Sequence, residues 1–318
     1  MSVWKSREGD PNVMEASRFL QMNGGLWAMG DFASGIAWFD LASDSSVLYD
    51  RPGDGPNEFR KIRNAAVHPS KDTLVVVQQS RVSYITSSAR EARSIPAFAP
   101  RSGFILLDDG SFVISTHAVG SISGARGFTL HQVSSAGEHL RSFRKLRSEE
   151  APKADYWPIA RGTEARTFWL VTPHPRGFSV EKWDATQDHL IARFDLTPSW
   201  WRGEPAIQPH YESMAMSGST IPPMPSGVND VFDGGDVLWI AARHADHKGA
   251  TSLEETSNDA WFDGVLLALS RTSGEVIAAT AFDQFIAAFT NEGLAVLYAE
   301  HDTGEPSIEL VRPSLKAR

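Results

Sequence analysis

Residues 53–59 are Gly53-Asp54-Gly55-Pro56-Asn57-Glu58-Phe59, a rigid polar turn that ends in an aromatic residue just before a new apolar run. The two glycines allow backbone angles that other residues avoid, and Pro56 fixes one dihedral angle. Phe59 is placed to anchor the turn beneath the next segment. We interpret this stretch as a connector between two copies of one repeated unit, and the rest of the chain can be searched for that unit.

An apolar strand, a tight polar turn and a second apolar strand recur six times along the chain. Asn-Gly and Asp-Gly turns between apolar runs are the strongest short-range sequence signal for a β-hairpin. Self-similarity of this kind is typical of repeat architectures. The fourth copy has the weakest pattern. The six predicted hairpins are Phe19–Met29, Ala65–Val77, Phe104–Ile114, Ile159–Val171, Val231–Ile240 and Phe285–Leu297.

Each hairpin is followed by a third predicted strand, and the first five copies add a more polar fourth strand. The predicted third strands are Gly35–Leu41, Arg81–Thr86, Gly127–Val133, Gly177–Trp183, Gly264–Ser270 and Ser307–Arg312. The predicted fourth strands are Ser46–Arg51, Arg90–Ile95, His139–Arg144, Leu190–Leu196 and Val276–Phe282. The sixth copy lacks a fourth strand of its own.

An unpaired strand at Val3–Arg7 precedes the first hairpin and can supply the missing strand of the sixth unit. Closure of this kind protects the sheet edges and locks the two chain ends together. We therefore predict an all-β fold, a single six-bladed β-propeller domain over residues 1–318. Its blades are four-stranded and antiparallel, and the N-terminal strand closes the ring in the last blade. The periodicity of Asp283–Phe289 also fits a helical turn, although repeat position favours a strand.

The turn at residues 53–59, the Asp-Gly and Asn-Gly hairpin turns and the six-fold count resemble bacterial six-bladed β-propeller proteins related to NHL repeats. The resemblance covers nearly the whole chain and implies the propeller fold. Such propellers serve as binding scaffolds, as sensors and occasionally as enzymes, so the fold alone does not imply one function. The related proteins are commonly exported or attached to the cell envelope, which implies an extracytoplasmic location.

Composition excludes several classes of protein. A formal net charge of -9 over 318 residues argues against nucleic acid as a main partner. The absence of cysteine excludes disulfides, thiolate nucleophiles and cysteine-ligated metal sites. No apolar run approaches the ~20 residues that cross a bilayer, and the first ten residues lack the pattern of a secretory signal, so we expect a soluble chain. We interpret one basic cluster as solvated strand edges: Arg141, Arg144, Lys145 and Arg147.

The long connections between predicted strands share one face of the disc. In an up-and-down blade, the turns between strands one and two and between strands three and four lie on one face, and the other connections lie opposite. The first set is short here, and the second set contains the long segments 52–64, 117–126, 145–158, 197–228 and 243–263. Loops on a rigid scaffold carry most binding and catalytic residues, so we predict that this long-loop face is the working face.

The longest of these connections contains aromatic rings beside an arginine and a carboxylate, which can line a pocket or cap the central channel. The two tryptophans in it alternatively form a small core of the loop itself. The connection 243–263 is acidic and polar. This composition predicts either a flexible lid or a solvated surface loop. The predicted ligand-binding residues are Trp200, Trp201, Arg202, His210, Tyr211 and Glu212.

Four consecutive blades have a histidine at the end of the second predicted strand, namely His117, His174, His244 and His301. Converging neutral imidazoles can bind a divalent metal ion such as Zn, Fe, Mn or Cu. Such an ion acts as a Lewis acid or lowers the pKa of a bound water. Convergence requires each loop to fold inward, because the second strand is not the innermost one. Alternatively, each histidine caps its own strand end by hydrogen bonding.

These features predict a binding module that takes a small molecule, glycan or peptide on the long-loop face. The alternative is a metal-dependent lyase or hydrolase built on the four histidines, with Glu212, Tyr211 or Arg202 as acid, base or oxyanion partner. A third interpretation is a structural scaffold for another protein. The sequence leaves open whether the protein is an enzyme.

Overall fold

The computed structural model describes residues 2–6, 16–30, 35–43, 45–50, 59, 62, 64–68, 70, 72–78, 81–86, 90–94, 103–116, 125–147, 157–203, 225–245, 262–300 and 306–315. Within these segments all regular secondary structure is β-strand, and none of them contains a helix able to span a membrane. The strands form six sheets of four. The fold is therefore all-β, with six antiparallel blades in a ring, as predicted.

Within a blade the strands follow one another along the chain and pair with their nearest neighbours. The chain starts with β1 (Ser2–Lys5). Blade 1 contains β2 (Ala16–Met22), β3 (Gly25–Gly30), β4 (Gly35–Asp40) and β5 (Ser46–Asp50). Blade 2 contains β6 (Asn64–Val67), β7 (Leu74–Val77), β8 (Arg81–Ile85) and β9 (Arg90–Ser94). Blade 3 contains β10 (Gly103–Leu106), β11 (Phe112–Ser115), β12 (Phe128–Val133) and β13 (His139–Lys145).

The longest strands, of eight or nine residues, lie in blades 4 and 5. Blade 4 contains β14 (Ile159–Arg161), β15 (Thr167–His174), β16 (Gly177–Asp184) and β17 (His189–Leu196). Blade 5 contains β18 (Gly227–Asp233), β19 (Val237–Ala245), β20 (Phe262–Ser270) and β21 (Val276–Phe282). Blade 6 contains β22 (Phe285–Phe289), β23 (Ala295–Glu300) and β24 (Pro306–Val311).

The strand β1 closes the ring by pairing antiparallel with β24 as the outer strand of blade 6. Trp4 lies opposite Leu310 in this pair. The seam continues past the strand, because the Ser6 N–H donates to the Ile308 carbonyl at 2.9 Å and the Ile308 N–H donates to the Ser6 hydroxyl at 3.0 Å. This arrangement confirms the predicted closure by the N-terminal strand.

The first hairpin turn shows why an Asn-Gly pair predicts this fold. Asn23 and Gly24 have φ values of 54° and 75°, and both lie in the left-handed region that tight turns between twisted strands favour. Glycines take the same region in the equivalent turns of blades 3, 5 and 6. In blade 4, Arg166 takes it at 59°, and β14 has only three residues. The weak sequence signal of blade 4 thus reflects a turn made without Asn-Gly or Asp-Gly.

Six hydrophobic clusters hold the ring together, one at each boundary between neighbouring blades. The strand β15 contributes to two of them. Phe168 and Leu170 pack toward blade 3, and Trp169 and Val171 pack toward blade 5. All four side chains are fully buried. Because successive side chains of a strand point to opposite faces, a middle strand with both faces buried requires a continuous apolar run.

Phe59 lies buried between blades 1 and 2, in a cluster with Met29 and Ile62. This position confirms that Phe59 anchors the connection beneath the second blade. The remainder of the turn, residues 53–58, lies outside the described segments. Phe59 therefore helps to fix where blade 2 begins, and the first strand of that blade has only four residues.

The helical interpretation of Asp283–Phe289 is wrong. The strand β22 occupies Phe285–Phe289 and pairs antiparallel with β23, with Ile286 opposite Leu297. Ile286 is fully buried between blades 5 and 6, and its backbone carbonyl accepts a hydrogen bond from the Asn229 side chain at 2.7 Å. Pairing between strands therefore decides this segment, whereas its local periodicity was ambiguous.

Candidate functional site

The two longest connections of the chain leave the ring at blades 4 and 5. One runs from the end of β17 at Leu196 to the start of β18 at Gly227, and the other from the end of β19 at Ala245 to the start of β20 at Phe262. Both start and end on the long-loop face, because the first joins two blades and the second joins the second and third strands of one blade. The structure describes 197–203 and 225–226 at the base of the first connection.

A single buried hydroxyl joins the bases of both connections. The Ser226 Oγ accepts the Arg202 N–H at 3.1 Å and the Ala245 N–H at 3.1 Å. The Ser226 N–H in turn donates to the Arg202 carbonyl at 2.9 Å. The first connection therefore leaves and re-enters the ring at one hydrogen-bonded point, and the second starts at the same point.

An aromatic cluster of Phe178, Trp200, Trp201 and His244 lies beside this point. The ring centroids of Phe178 and Trp201 are 5.4 Å apart, and those of Trp201 and Trp200 are 5.8 Å apart. Trp200 meets His244 edge to face at 6.0 Å. Both tryptophans are partly buried and pack against the core shared by blades 4 and 5. They therefore extend an inter-blade core to the surface of the long-loop face.

Two polar groups accompany the aromatic cluster. The His244 Nδ1 lies 3.9 Å from the Asp263 Oδ2, and the two side chains are 24% and 37% exposed. The indole nitrogen of Trp201 is buried and has no hydrogen-bond partner among the described residues. Solvent-accessible rings, a carboxylate and an imidazole together can hold a ligand that presents an apolar face and hydrogen-bonding groups.

Close backbone contact fixes the segment that carries the tryptophans. The Trp201 N–H donates to the Pro198 carbonyl at 3.0 Å, which curls residues 198–201 into a turn. Gly203 then packs directly against the Pro175 carbonyl in the β15–β16 turn, where a Cβ atom would collide with that oxygen. Glycine at this position therefore lets the segment lie flat on blade 4 and places Trp201 against Phe178.

The structure describes half of the predicted ligand-binding set. Trp200, Trp201 and Arg202 lie together at the base of the first long connection, and Arg202 is half-buried. The other predicted residues, His210, Tyr211 and Glu212, lie outside the described segments. Sequence reasoning missed Phe178, Ser226 and Asp263, because only the pairing of β15–β16 and β19–β20 brings them to the same place.

Two of the four histidines predicted to bind metal are described. His174 ends β15, and its Nδ1 accepts the Arg176 N–H at 3.3 Å, which is a capping contact. His244 occupies the equivalent position in blade 5 but contacts Trp200 and Asp263. Strand alternation points His174 toward blade 3 and His244 toward blade 4, so these two side chains enter successive inter-blade clefts.

His117 and His301 lie outside the described segments. In the part of the chain that the structure describes, no three histidine, aspartate or glutamate side chains are grouped closely enough to hold a metal ion. Convergence of all four histidines on one divalent ion therefore stays a prediction.

The interpretation of the basic cluster at 141–147 as solvated is wrong for Arg144. Its side chain is buried, and its Nε lies 2.7 Å from a carboxylate oxygen of Glu181, which is itself 0% exposed. The Arg147 guanidinium lies 2.6 Å from the same carboxylate, and the Trp183 indole donates to it at 2.9 Å. Burial raises the pKa of the Glu181 carboxyl, but the hydrogen bonds and charges of Arg144, aided by Trp183 and Arg147, hold it below its ordinary value.

A second buried carboxylate, Asp233, joins blades 4 and 5 on the face opposite the long loops. It accepts the Trp169 indole N–H at 2.9 Å and the Thr163 N–H at 3.0 Å, and Arg271 lies 3.1 Å away. The guanidinium of Arg271 also lies over the Trp169 ring, 6.0 Å from its centroid. This network holds blades 4 and 5 together on the face opposite the long loops. The aromatic cluster lies at the other end of the same boundary and therefore has a rigid support.

A buried histidine lies within blade 3. The His131 Nδ1 is 2.8 Å from the Ser142 hydroxyl, and its Nε2 is 3.2 Å from the Thr116 carbonyl. Because a carbonyl only accepts, Nε2 carries the proton and Nδ1 of the neutral ring accepts from Ser142. Burial lowers the pKa of His131 to about 4, so the ring is neutral near pH 7.

Comparison with known proteins identifies the fold of this chain but does not assign it to a family. No family model matches this sequence, and none of the curated proteins matches it. Among solved structures, a protein from Bacteroides fragilis NCTC 9343, whose assignment as exported is provisional, has a TM-score of 0.59 at 9% identity and covers 98% of this chain and 94% of that chain.

Two further structures extend the comparison. A luciferin-regenerating enzyme has a TM-score of 0.55 at 8% identity, covering 98% of this chain and 96% of that chain. The WD40 repeats of RRP9 have a TM-score of 0.52 at 9% identity, covering 98% of this chain and 99% of that chain. At identities this low the matches show a shared propeller fold, which supports many functions.

Proposed function

We propose that this six-bladed propeller is a binding module that takes a small molecule, glycan or peptide at the aromatic cluster on its long-loop face. The observation that carries the proposal is the position of Trp200 and Trp201. Both rings are partly exposed, and they lie where the two longest connections of the chain meet at Ser226.

The chemistry of the cluster supports a ligand with both apolar and polar surface. The tryptophan rings offer flat faces for aliphatic, sugar C–H or aromatic groups. The Asp263 carboxylate is an acceptor, and the His244 imidazole can serve as a donor or as an acceptor. Sugars, peptides and many metabolites carry such combinations, and the six-bladed scaffold holds the groups in fixed positions.

We further propose, from the sequence resemblance, that the chain is a bacterial propeller related to NHL repeats. The six-bladed fold, the Asn-Gly turn of blade 1 and the buried anchor Phe59 support this relation.

A screen with a matched pair of variants tests the binding function. Wild type, Trp200→Ala and Trp38→Ala are compared by thermal shift against a panel of mono- and oligosaccharides, amino acids, tripeptides and nucleosides, and hits are titrated by calorimetry. Trp38 is also partly buried but lies in blade 1. We expect hits that bind wild type and Trp38→Ala alike and bind Trp200→Ala at least about tenfold more weakly. Compounds that bind Trp200→Ala as tightly as wild type, or a panel in which no compound binds, would argue against the proposal.

We propose a metal-dependent lyase or hydrolase as the second candidate function. The observation in its favour is that His244 stands 3.9 Å from a carboxylate oxygen of Asp263, a pair of donors suited to Zn, Fe, Mn or Cu. Such an ion would supply Lewis acidity or an activated water. Metal content measured by plasma mass spectrometry on tag-free wild type, His244→Ala and Asp263→Ala tests this candidate, and His174→Ala, in the neighbouring cleft, shows whether the other histidines take part. Stoichiometric metal lost in His244→Ala and Asp263→Ala supports it, and no metal after incubation with these ions removes it.

A further inference from the structure

The outer strand of blade 5 differs from the other five outer strands in charge. Each of the other five contains at least one charged side chain, for example Lys5 in β1, Asp50 in β5, Arg90 in β9, Arg141 in β13 and Arg193 in β17. The strand β21 is Val-Ile-Ala-Ala-Thr-Ala-Phe and contains no charge, proline or glycine. Charged side chains and prolines normally stop an outer strand from pairing with another chain, so β21 lacks this protection.

The free edge of β21 is accessible. The strand ends its sheet, and among the described residues it pairs with β20 alone. Five of its seven residues are exposed, and the large apolar side chains Val276 and Ile277 are 43% and 45% exposed. An outer strand of this kind presents a row of unpaired backbone N–H and C=O groups. The edge therefore offers both main-chain hydrogen bonds and apolar surface.

The geometry of β21 suits strand addition after its second residue. A bulge at Ile277 interrupts the register with β20, and residues 278–282 then pair without a break. Three of these five residues are alanine. Small side chains allow another backbone to approach closely, and an uninterrupted ladder presents its hydrogen-bonding groups in the regular antiparallel pattern.

The charges at the two ends of β21 indicate what could pair with it. Glu275 precedes the strand and Asp283 follows it, and both are exposed. A second copy of this chain, paired antiparallel about Ala279, would bring Glu275 of each copy opposite Asp283 of the other. Like charges directly opposite each other destabilise a strand pair. A segment with lysine or arginine at both ends would instead place a cation beside each carboxylate.

We propose that β21 is a docking edge for another protein, which adds an extended, uncharged segment flanked by basic residues as a fifth antiparallel strand of blade 5. Main-chain hydrogen bonds supply the affinity, as in other cases of strand addition. The apolar side chains of β21 and its two terminal carboxylates select the partner. This edge lies on the rim of the ring and does not involve the aromatic cluster.

A designed peptide tests this edge. The probe is a fluorescent peptide of seven alternating valine and threonine residues, matching the seven residues of β21, between two pairs of lysines. A second peptide replaces the lysines with glutamates. Binding is followed by fluorescence anisotropy, and its location by hydrogen–deuterium exchange. The variant Ala279→Lys/Ala281→Lys gives β21 the charges that the other outer strands have, and Ile191→Lys on β17 is the control, since Ile191 is an exposed outer-strand residue as well.

We expect the lysine-flanked peptide to bind and to slow exchange over residues 276–282. The double lysine variant should bind it about tenfold or more weakly, and Ile191→Lys should bind it as wild type does. No binding, equal binding of the glutamate-flanked peptide, or protection outside β21 would overturn the proposal. Dimerisation of the free protein that the double variant abolishes would also overturn it, because the occupant would then be a second copy.

Discussion

The carboxylate of Glu181 joins blade 3 to blade 4 by accepting from Arg144, Arg147 and Trp183 inside the ring. Replacing it with the neutral amide in Glu181→Gln leaves the buried Arg144 guanidinium without its counter-charge. Removing one partner of a buried ion pair costs about 3–5 kcal/mol. We therefore expect urea unfolding to show a loss of about 3 kcal/mol in the free energy of unfolding.

Glu164→Gln is the matched control for this prediction. Glu164 also pairs with two cations, Lys182 at 2.7 Å and Arg271 at 3.2 Å, but its side chain is 57% exposed. Exposed ion pairs contribute about 0–1 kcal/mol, so this variant should lose less than about 1 kcal/mol. Equal losses in the two variants would show that burial of Glu181 does not set its contribution.

The buried side chain of His131 should make the folded protein less stable at low pH. Its folded pKa of about 4 lies below the ordinary histidine pKa of 6.5, so the unfolded chain binds a proton that the folded chain resists. This contribution to stability is complete above pH 6.5 and is lost as pH falls toward 4. The full loss is about 3 kcal/mol. Melting temperature followed from pH 7.5 to 4 should therefore begin to fall near pH 6.5.

The variant His131→Gln keeps hydrogen-bonding groups at this position but does not titrate. Its melting temperature should be nearly flat between pH 6.5 and 5, while wild type declines. Parallel curves for the two proteins would mean that another group causes the decline. The carboxyl of Glu181 is separable from this effect, because its lowered pKa makes its contribution fall only at pH values below its ordinary range of about 4.5.

Single residues were predictable from sequence where the cause is local. The left-handed turn at Asn23 and Gly24 and the anchor Phe59 depend on neighbours in the chain. The pairing of Arg144 with Glu181 joins residues 37 positions apart and depends on how two blades pack. The charged residues Glu181 and Lys182 inside the predicted third strand of blade 4 were a signal that could have pointed to it, because an unpaired buried carboxylate is too costly to keep.

Ser226 controls two elements at once, the bases of both long connections. Ser226→Ala removes the acceptor for the buried N–H groups of Arg202 and Ala245. Leaving such donors unsatisfied costs about 1–3 kcal/mol. We expect faster hydrogen exchange at both amides in the variant, even though they lie 43 positions apart in the sequence.

Ser273→Ala is the control for this prediction, because the Ser273 hydroxyl accepts a single N–H, that of Glu275 at 3.3 Å, in an exposed turn. It should leave exchange at Arg202 and Ala245 unchanged. Faster exchange in Ser226→Ala at only one of the two amides would show that the two connections are not joined at this hydroxyl.

Strand positions followed from turn chemistry, whereas strand lengths did not. The predicted hairpin of blade 5 ends at Ile240, but β19 continues to Ala245 with Arg243 opposite Gly264 and His244 opposite Asp263. Small and polar side chains at 241–245 hid this extension, because backbone pairing does not need large apolar residues. The extension brings His244 into the aromatic cluster, which explains why the sequence pointed to Trp200 and His244 separately and not to their contact.

The whole ring depends on the seam between blades 6 and 1. Trp4 on β1 packs edge to face on Phe39 of blade 1, with ring centroids 5.9 Å apart. Trp4→Ala should lower the free energy of unfolding by about 2 kcal/mol, somewhat less than for a fully buried tryptophan. Guanidinium unfolding should also show a broader transition, because the ring opens at this seam before the other blades unfold. Val3→Ala, an exposed change on the same strand, should stay within about 0.5 kcal/mol of wild type.

A transition as sharp as that of wild type in Trp4→Ala would show that the seam is not the first boundary to open.

The sequence was most informative about the whole ring. Counting the repeats of four strands gives the number of blades, and one N-terminal strand remains to close the ring. Function was not predictable to the same degree. Contacts between blades decide which aromatic side chains and histidines come together. The number of blades gives no information about these contacts.

Fluorine NMR of protein labelled with 5-fluorotryptophan tests the central claim most directly. The chain has ten tryptophans, whose signals can be assigned with single Trp→Phe variants. Compounds from the thermal-shift panel are titrated into the labelled protein. Ligand binding should shift the signals of Trp200 and Trp201 and leave those of Trp27 and Trp38 in blade 1 unchanged. Ligand-induced shifts confined to other tryptophans, with Trp200 and Trp201 unmoved, would contradict a binding site at the aromatic cluster.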